Sequence, residues 1–528
     1  EDTLPKAFYT SLNKLSPTGK DGYKITFLKD EQTIIISGFD ERGALYGVGY
    51  LLRKMEMRRG QILVPENLNI SSTPAYPIRG HQLGYRPKTN AYDAWIVDQF
   101  DHYIRDLALF GANSIEVMPP NTDDDFSNSH MKLPAIKMIA EQSRICKKYG
   151  LDVWMWYPNM GSNYTSPDSI RKELNEAANV FKVLPGLNDL FVPGGDPGDL
   201  QPGVLFAWLK KLAVVLHQYH PQAKIWVSPQ VFRPSQKWYD AFYKEVNRKY
   251  SWFGGVVFGP WVKEPIQKVR QLVNKDIPIR RYPDITHSLS CQYPIPHWDL
   301  AYAITLGREC YNPRPTQEKL IQNVFAKYAN GSISYSEGIN DDVNKFVWSG
   351  QYWDPTTPVI ETLRDYARLF IGPDYTEAFA QGIIDLENNL KGPLLVNSGV
   401  DSTLQKWQEM EKHASDEVLG NFRFQMGLLR AYYDAYTRHR LIYETSLEQE
   451  ARNALMDAKN TGSLESIGKT TAILEQAVTK PVMQALRQRC FALSDSVYRS
   501  IGSQLTVKKP QEAEAGRGNF MDNIDLPL

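Results

Sequence analysis

Ile333-Ser-Tyr-Ser-Glu-Gly-Ile-Asn-Asp-Asp-Val-Asn344 decides how this chain reads. A short β-rich run stops at Glu337, and Gly338 opens an acidic loop. The aromatic segment Lys345-Phe-Val-Trp-Ser-Gly-Gln-Tyr-Trp-Asp-Pro355 follows. A carboxylate at a strand end, with indoles after it, suits the mouth of a barrel that handles sugar. The carboxyl moves protons or charge, and indole faces stack on the C–H faces of pyranose rings.

The motif closes a series of similar strand ends. Working upstream, β-rich runs occur at Ser332–Ser336, Ile279–Tyr282, Gly255–Phe258, Lys224–Ser228, Leu190–Pro193, Asp152–Tyr157, Ser114–Met118 and Ile78–Gly84. Amphipathic helical segments separate most of them, among them Trp95–Phe110, Leu133–Tyr149, Ser169–Val183 and Val204–Tyr219. This alternation predicts an α/β fold, a (β/α)8 TIM barrel over residues 76–372. A doubly wound open sheet would want a Gly-rich phosphate turn after an early strand, and the sequence has none.

Residues 1–75 read as a small α/β domain. Gly22–Leu28 alternates as a half-buried strand does, Thr33–Ser37 is a second strand, and Asp40–Arg53 opens a helix with small residues for close packing. Residues 373–505 carry helical periodicity at Tyr375–Leu390, Ser402–Lys412, Glu417–Ser446 and Ile467–Ser500, which predicts a helical bundle. Residues 506–528 are expected to form an extended or loosely held tail.

At 528 residues the chain has room for two or three domains. Lys+Arg and Asp+Glu are both 60, so the net charge is zero. That argues against nucleic acid or an anionic membrane as the main partner and leaves an oligosaccharide or polysaccharide open. Oligomeric state stays open. Cys146, Cys291, Cys310 and Cys490 lack paired spacing, so neither a zinc site nor a disulfide framework is expected, and no cofactor is implied. No window is apolar enough to span a membrane. The start Glu1-Asp-Thr-Leu-Pro5 lacks methionine and suggests a processed chain, secreted or periplasmic, with sequons at Asn69, Asn163 and Asn330.

Barrel chemistry sits at the C-terminal strand ends. The first strand is followed by His81, Gln82, Tyr85 and Arg86. Glu116 lies within the second strand and would need partners if it points inward; the run Asp123–Asp125 follows it. Trp156, Tyr157 and Asn159 follow the third. Val192-Pro-Gly-Gly-Asp-Pro-Gly-Asp199 follows the fourth, where glycines and prolines frame Asp196. Gln230, then Trp261 and Glu264, follow the fifth and sixth. Tyr282-Pro-Asp-Ile-Thr-His287 ends the seventh, with Trp298 beyond it. His287 has no partner histidine at metal spacing, so no metal site is expected. Arg280 and Arg281 can pair with a carboxylate, the protein's own or a uronic acid's. Glu337, Asn340, Asp341 and Asp342 follow the eighth.

These residues point to glycoside hydrolysis, which needs one carboxyl to protonate the leaving oxygen and a second group at the anomeric centre. Glu337 is the first candidate, with Asp196 and then Asp284 as partners. Substrate contacts are expected from His81, Tyr85, Trp156, Gln230, Trp261, Tyr282, His287, Trp298, Asn340, Asp341 and Trp353. The rival reading is a catalytically silent glycan-binding barrel.

The segment from Gly22 to Met55 resembles the α/β domain that precedes the barrel in family 20 hexosaminidases, and that of α-glucuronidases and family 84 hexosaminidases. The order of domains and the Lys345–Pro355 segment resemble the same group. The resemblance implies a β-N-acetylhexosaminidase-like or related glycosidase, with an α-glucuronidase-like enzyme as the alternative. Family 20 carries an adjacent Asp-Glu pair after strand 4, and family 84 an Asp-Asp pair. Here the position reads Gly195-Asp196-Pro197, so no catalytic role carries over.

Overall fold

The computed structural model describes residues 19–29, 32–65, 68–87, 91–122, 125–195, 200–287, 292–506 and 520–528. Strands β1 (Tyr23–Leu28) and β2 (Thr33–Gly38) form an antiparallel pair, and β3 (Glu56–Arg58) and β4 (Gln61–Leu63) a hairpin. β5 (Ile70–Ser72) adds to the free edge of β1, giving the order β2-β1-β5. The helix Glu41–Lys54 covers this sheet and is capped by Asp40, whose side chain accepts from the Gly43 amide.

Eight parallel strands then close into a barrel: β6 (Ile78–Gln82), β7 (Ser114–Val117), β8 (Asp152–Trp156), β9 (Asp189–Val192), β10 (Lys224–Val227), β11 (Phe253–Phe258), β12 (Ile279–Arg281) and β13 (Gly331–Ser334). Closure is made by β13 against β6, with Ser334 level with His81. Proline sits in the first turn of three outer helices, at Pro167, Pro202 and Pro315, where its missing N–H costs nothing.

Strand parity sorts the side chains into two layers. Trp154, Phe191, Trp226, Val257, Tyr282 and Ile333 pack together in the barrel interior. Their strand neighbours face the helices and join the main core. Gly194 shows what the glycines ahead of Asp196 do. Its φ is +65°, and a Cβ there would lie 2.1 Å from the Ser228 carbonyl, so the backbone after β9 lies directly against the end of β10.

The C-terminal region is helical and centred on Phe422–Met456, a 35-residue helix. The final described residues, 520–528, are held in place. Phe520 stacks on Tyr433 with ring centroids 4.7 Å apart, and Met521 and Ile524 are buried. Arg440 donates to the carbonyls of Ile524 and Leu526. Residues 520–528 are therefore clamped to the long helix, because their apolar side chains find a groove that composition alone did not reveal. Cys146, Cys310 and Cys490 are buried; Cys291 lies outside the described residues. Among the described residues no helix is long and apolar enough to cross a membrane.

Candidate active site

The ends of β12 and β13 lie side by side. Asp284 bridges Tyr335 in parallel register, and the Tyr335 amide donates to the Pro283 carbonyl at 2.8 Å. This extension of the ladder sets His287 and Glu337 against each other. Asn340 holds the two loops together: its Nδ2 donates to the Thr286 carbonyl at 2.7 Å, and Thr286 Oγ1 donates back to Oδ1 at 3.1 Å. Behind it, buried Lys345 pairs with Asp341 and donates to the Gly338 carbonyl at 2.9 Å. Asn340 and Asp341 thus brace the loop that carries Glu337.

Glu337 is 1% exposed. Its Oε1 accepts from Arg86 Nη2 at 2.6 Å and from the Tyr335 hydroxyl. Its Oε2 lies 3.1 Å from His287 Nε2. The same Nε2 lies 3.3 Å from Glu309 Oε1. On the other side of the ring, Nδ1 lies 2.8 Å from Asp284 Oδ2, and Asp284 Oδ1 accepts the amides of Thr286 and His287. One imidazole therefore faces three buried carboxyl groups.

The electrostatics follow from that packing. Burial alone would lower the pKa of His287, but the Asp284 charge and the hydrogen bonds to Asp284, Glu309 and Glu337 outweigh it and hold the ring well above the ordinary histidine value. Burial first, and then the charge of Glu337, push the Glu309 carboxyl up to about 7. Burial and the Glu337 charge likewise raise the Tyr335 hydroxyl well above its usual range.

Trp156 is half-buried at the top of the interior cluster, with the Arg86 guanidinium 5.9 Å from its ring centroid. Gln230 is buried beyond β10, its Oε1 close to Gly259. Tyr282 belongs to the interior cluster, and its hydroxyl accepts from Gln82 at 2.6 Å. Trp261 is 56% exposed beyond β11, with Lys263 over its ring.

Four expected contacts are placed elsewhere. His81 faces the helices, where Ser334 and Ser349 each hold one ring nitrogen at 2.8 Å. Burial and the nearby Lys345 charge keep that ring neutral, with its pKa well below the ordinary value. Tyr85 lies in the outer core, its hydroxyl donating to the Leu133 carbonyl. Trp298 packs against the same core. Trp353 ends the helix Asp342–Trp353, contacts Tyr23 and Tyr46, and donates to Ser72 Oγ at 2.6 Å. It seals the N-terminal domain to the barrel. Asp196, Asp123 and Asp124 lie outside the described residues.

Arg280 and Arg281 do not reach Glu337. Arg280 turns inward and pairs with Glu116 at 2.7 Å, while Arg281 turns outward and donates to Gln322. Sequence reading missed Glu309, which sits in the long connection between β12 and the helix Pro315–Ala326. The one signal is an acidic residue inside the apolar-rich run Leu306-Gly-Arg-Glu-Cys-Tyr311.

No family model matches the chain, and a search of curated proteins finds no match. Solved structures do resemble it. One is a family 84 glycoside hydrolase, at 12% identity and a TM-score of 0.56, covering 91% of this chain and 89% of that one. Another is a family 138 enzyme targeting pectin rhamnogalacturonan II, at 11% identity and 0.54, covering 94% and 70%. A third is a family 89 glycoside hydrolase from Clostridium perfringens in complex with 2-acetamido-1,2-dideoxynojirmycin, at 11% identity and 0.53, covering 97% and 70%. The barrel with its N-terminal sheet and C-terminal helices is an architecture this chain shares with glycoside hydrolases.

Proposed function

We propose that the protein is a glycoside hydrolase whose chemistry is carried by Glu337 and Glu309. One observation carries this reading: two carboxyl groups from separate connections converge on a single imidazole at the C-terminal rim of a closed barrel. Arg86 and Tyr335 both donate to Glu337, an arrangement that favours its carboxylate form. Glu337 then faces the anomeric centre or the water that attacks it, and Glu309 delivers the proton to the leaving oxygen. His287 and Asp284 orient the pair. Asp196, which follows β9 in the sequence, remains the further candidate carboxylate.

An N-acetylhexosaminide is the first substrate class to test, because the family 89 neighbour is bound to a 2-acetamido sugar mimic. A uronide is the second, the alternative that the sequence resemblance to α-glucuronidases implies. The test is a panel of labelled hexosaminides, uronides and pectic oligosaccharides, assayed with the wild type, Glu337→Gln and Glu309→Gln. Turnover of one class should fall by about 10²–10⁴-fold in each variant, with thermal stability kept. No turnover of any member, alongside measurable glycan binding, would favour the silent barrel. Wild-type rates in both variants would remove the pair from the mechanism.

A further inference from the structure

We infer that His287, Glu309 and Glu337 form a binding site for one divalent first-row metal ion, zinc above all. Each residue offers one ligand atom, His287 through Nε2 once its proton has passed to solvent, and the three atoms lie within 4.8 Å of one another in a fully buried setting. No sequence motif announces the site, since the glutamates follow His287 by 22 and 50 residues.

Three observations separate this from a cluster of acidic residues. The first is the distances. His287 Nδ1 meets Asp284 at 2.8 Å, an ordinary charge-assisted hydrogen bond. On the other side, Nε2 stands 3.1 and 3.3 Å from two different carboxylates, longer than such bonds usually are, with one N–H to serve both. A tetrahedral ion with ligands at about 2.0–2.1 Å has edges of about 3.3 Å between its ligand atoms, which these separations match. The second is an unpartnered oxygen. Glu309 is fully buried, and its Oε2 has no hydrogen-bond partner although it belongs to the carboxyl that already faces Nε2. The third is the surrounding shell. Asp284 fixes the ring through Nδ1, and Arg86 and Tyr335 occupy the oxygen of Glu337 that does not face His287. Metal-binding imidazoles and carboxylates are typically oriented by such outer partners. One nitrogen and two carboxylate oxygens make a three-ligand site with a position left for water, a donor set that suits zinc.

The ion would occupy the space in which the glutamates serve the sugar. On the glycosidase reading, and only on it, metal binding therefore switches turnover off. The binding claim itself does not need that reading.

The test uses the full chain, stripped with chelator and then titrated with Zn2+ by equilibrium dialysis and metal mass spectrometry. One equivalent per chain is expected. His287→Gln and Glu309→Gln should each weaken binding by about 10–100-fold or more. Should those variants fail to fold, the wild type loaded with Co2+ answers instead: a tetrahedral site gives an intense visible absorption band. Absence of a stoichiometric site at 100-fold ion excess, unchanged affinity in both variants, or a cobalt spectrum like that of the hydrated ion would overturn the proposal. Activity separates the two claims. Inhibition that tracks zinc occupancy supports both, whereas binding without any turnover in the stripped protein leaves the metal site standing and sinks the glycosidase.

Discussion

Two of the places where the barrel buries charge are built on opposite plans. In its interior, Glu116 and Arg280 form a one-to-one pair, both fully buried. Gln82 donates to the other oxygen of Glu116, and Trp154, Phe191 and Tyr282 surround the guanidinium at 4.6–5.4 Å from its carbon. Every formal charge there has a counter-charge. At the mouth, three buried carboxyl groups converge on one imidazole, with the Arg86 guanidinium on Glu337 and the Arg308 guanidinium 4.0 Å from Glu309. Burial, and like charges crowded together within it, disfavour the ionised forms of carboxyl groups, which is why the Glu309 carboxyl is raised. The interior site is a single matched pair among aromatic rings, whereas at the mouth one ring serves three carboxyl groups.

The contrast breaks if the two sites respond alike to substitution. The largest expected effect belongs to the mouth. Glu337→Gln should lower turnover by about 10²–10⁴-fold while shifting the melting temperature little, since glutamine still accepts from Arg86 and Tyr335. The second belongs to the interior. Glu116→Ala strands Arg280 without a counter-charge and should cost about 3–5 kcal/mol of stability, while activity per folded molecule stays close to wild type. Urea titration followed by tryptophan fluorescence, paired with rates corrected for folded fraction, checks both. A Glu116 variant that stays stable and loses activity would move the interior pair into the mechanism. Replacing the pair together, as Glu116→Leu with Arg280→Met, sharpens the point. The double variant should recover most of the lost stability, because apolar packing substitutes for a buried ion pair.

The same contrast explains what the sequence could and could not reveal. Glu337, Asp284 and His287 were legible because each follows a barrel strand directly, where chemistry has to sit. Glu309 was not, because it lies in a connection whose path no local pattern defines. His81 and Gln82 show a second limit. Neighbours on a strand face opposite sides, so Gln82 turns into the barrel and His81 out to the helices. Nothing local to β6 says which of the two faces inward. Trp353 shows a third. The helix Asp342–Trp353 runs back along the outside of the barrel for 12 residues, about 18 Å at 1.5 Å per residue. A tryptophan at its end arrives at the base rather than at the rim that carries Glu337. The strands themselves were readable because short β-rich runs alternate with helix-length segments of amphipathic period.

A smaller effect is expected from the end of the barrel opposite the mouth. Asp189 opens β9, and its Oδ1 accepts from Trp226 Nε1 at 2.8 Å. Burial, opposed by that hydrogen bond and reinforced by the charge of Asp152, pushes its carboxyl up to about 7. An unfolded aspartate titrates near about 3.9. Between those values the folded protein binds more protons than the unfolded chain, so stability declines as pH rises toward 7 and levels off above it. The full shift would correspond to about 4 kcal/mol, but the side chain is only half-buried, and solvent and relaxation reduce that to about 1–2 kcal/mol. Asp189→Asn keeps an acceptor for Trp226 and removes the charge. The variant should therefore melt above wild type at pH 8 and level with it near pH 4.5. Thermal melts of both proteins across that range decide the matter. A difference that is constant with pH would mean that Asp189 ionises as an exposed carboxylate does, and that the barrel's lower end carries charge as readily as its mouth.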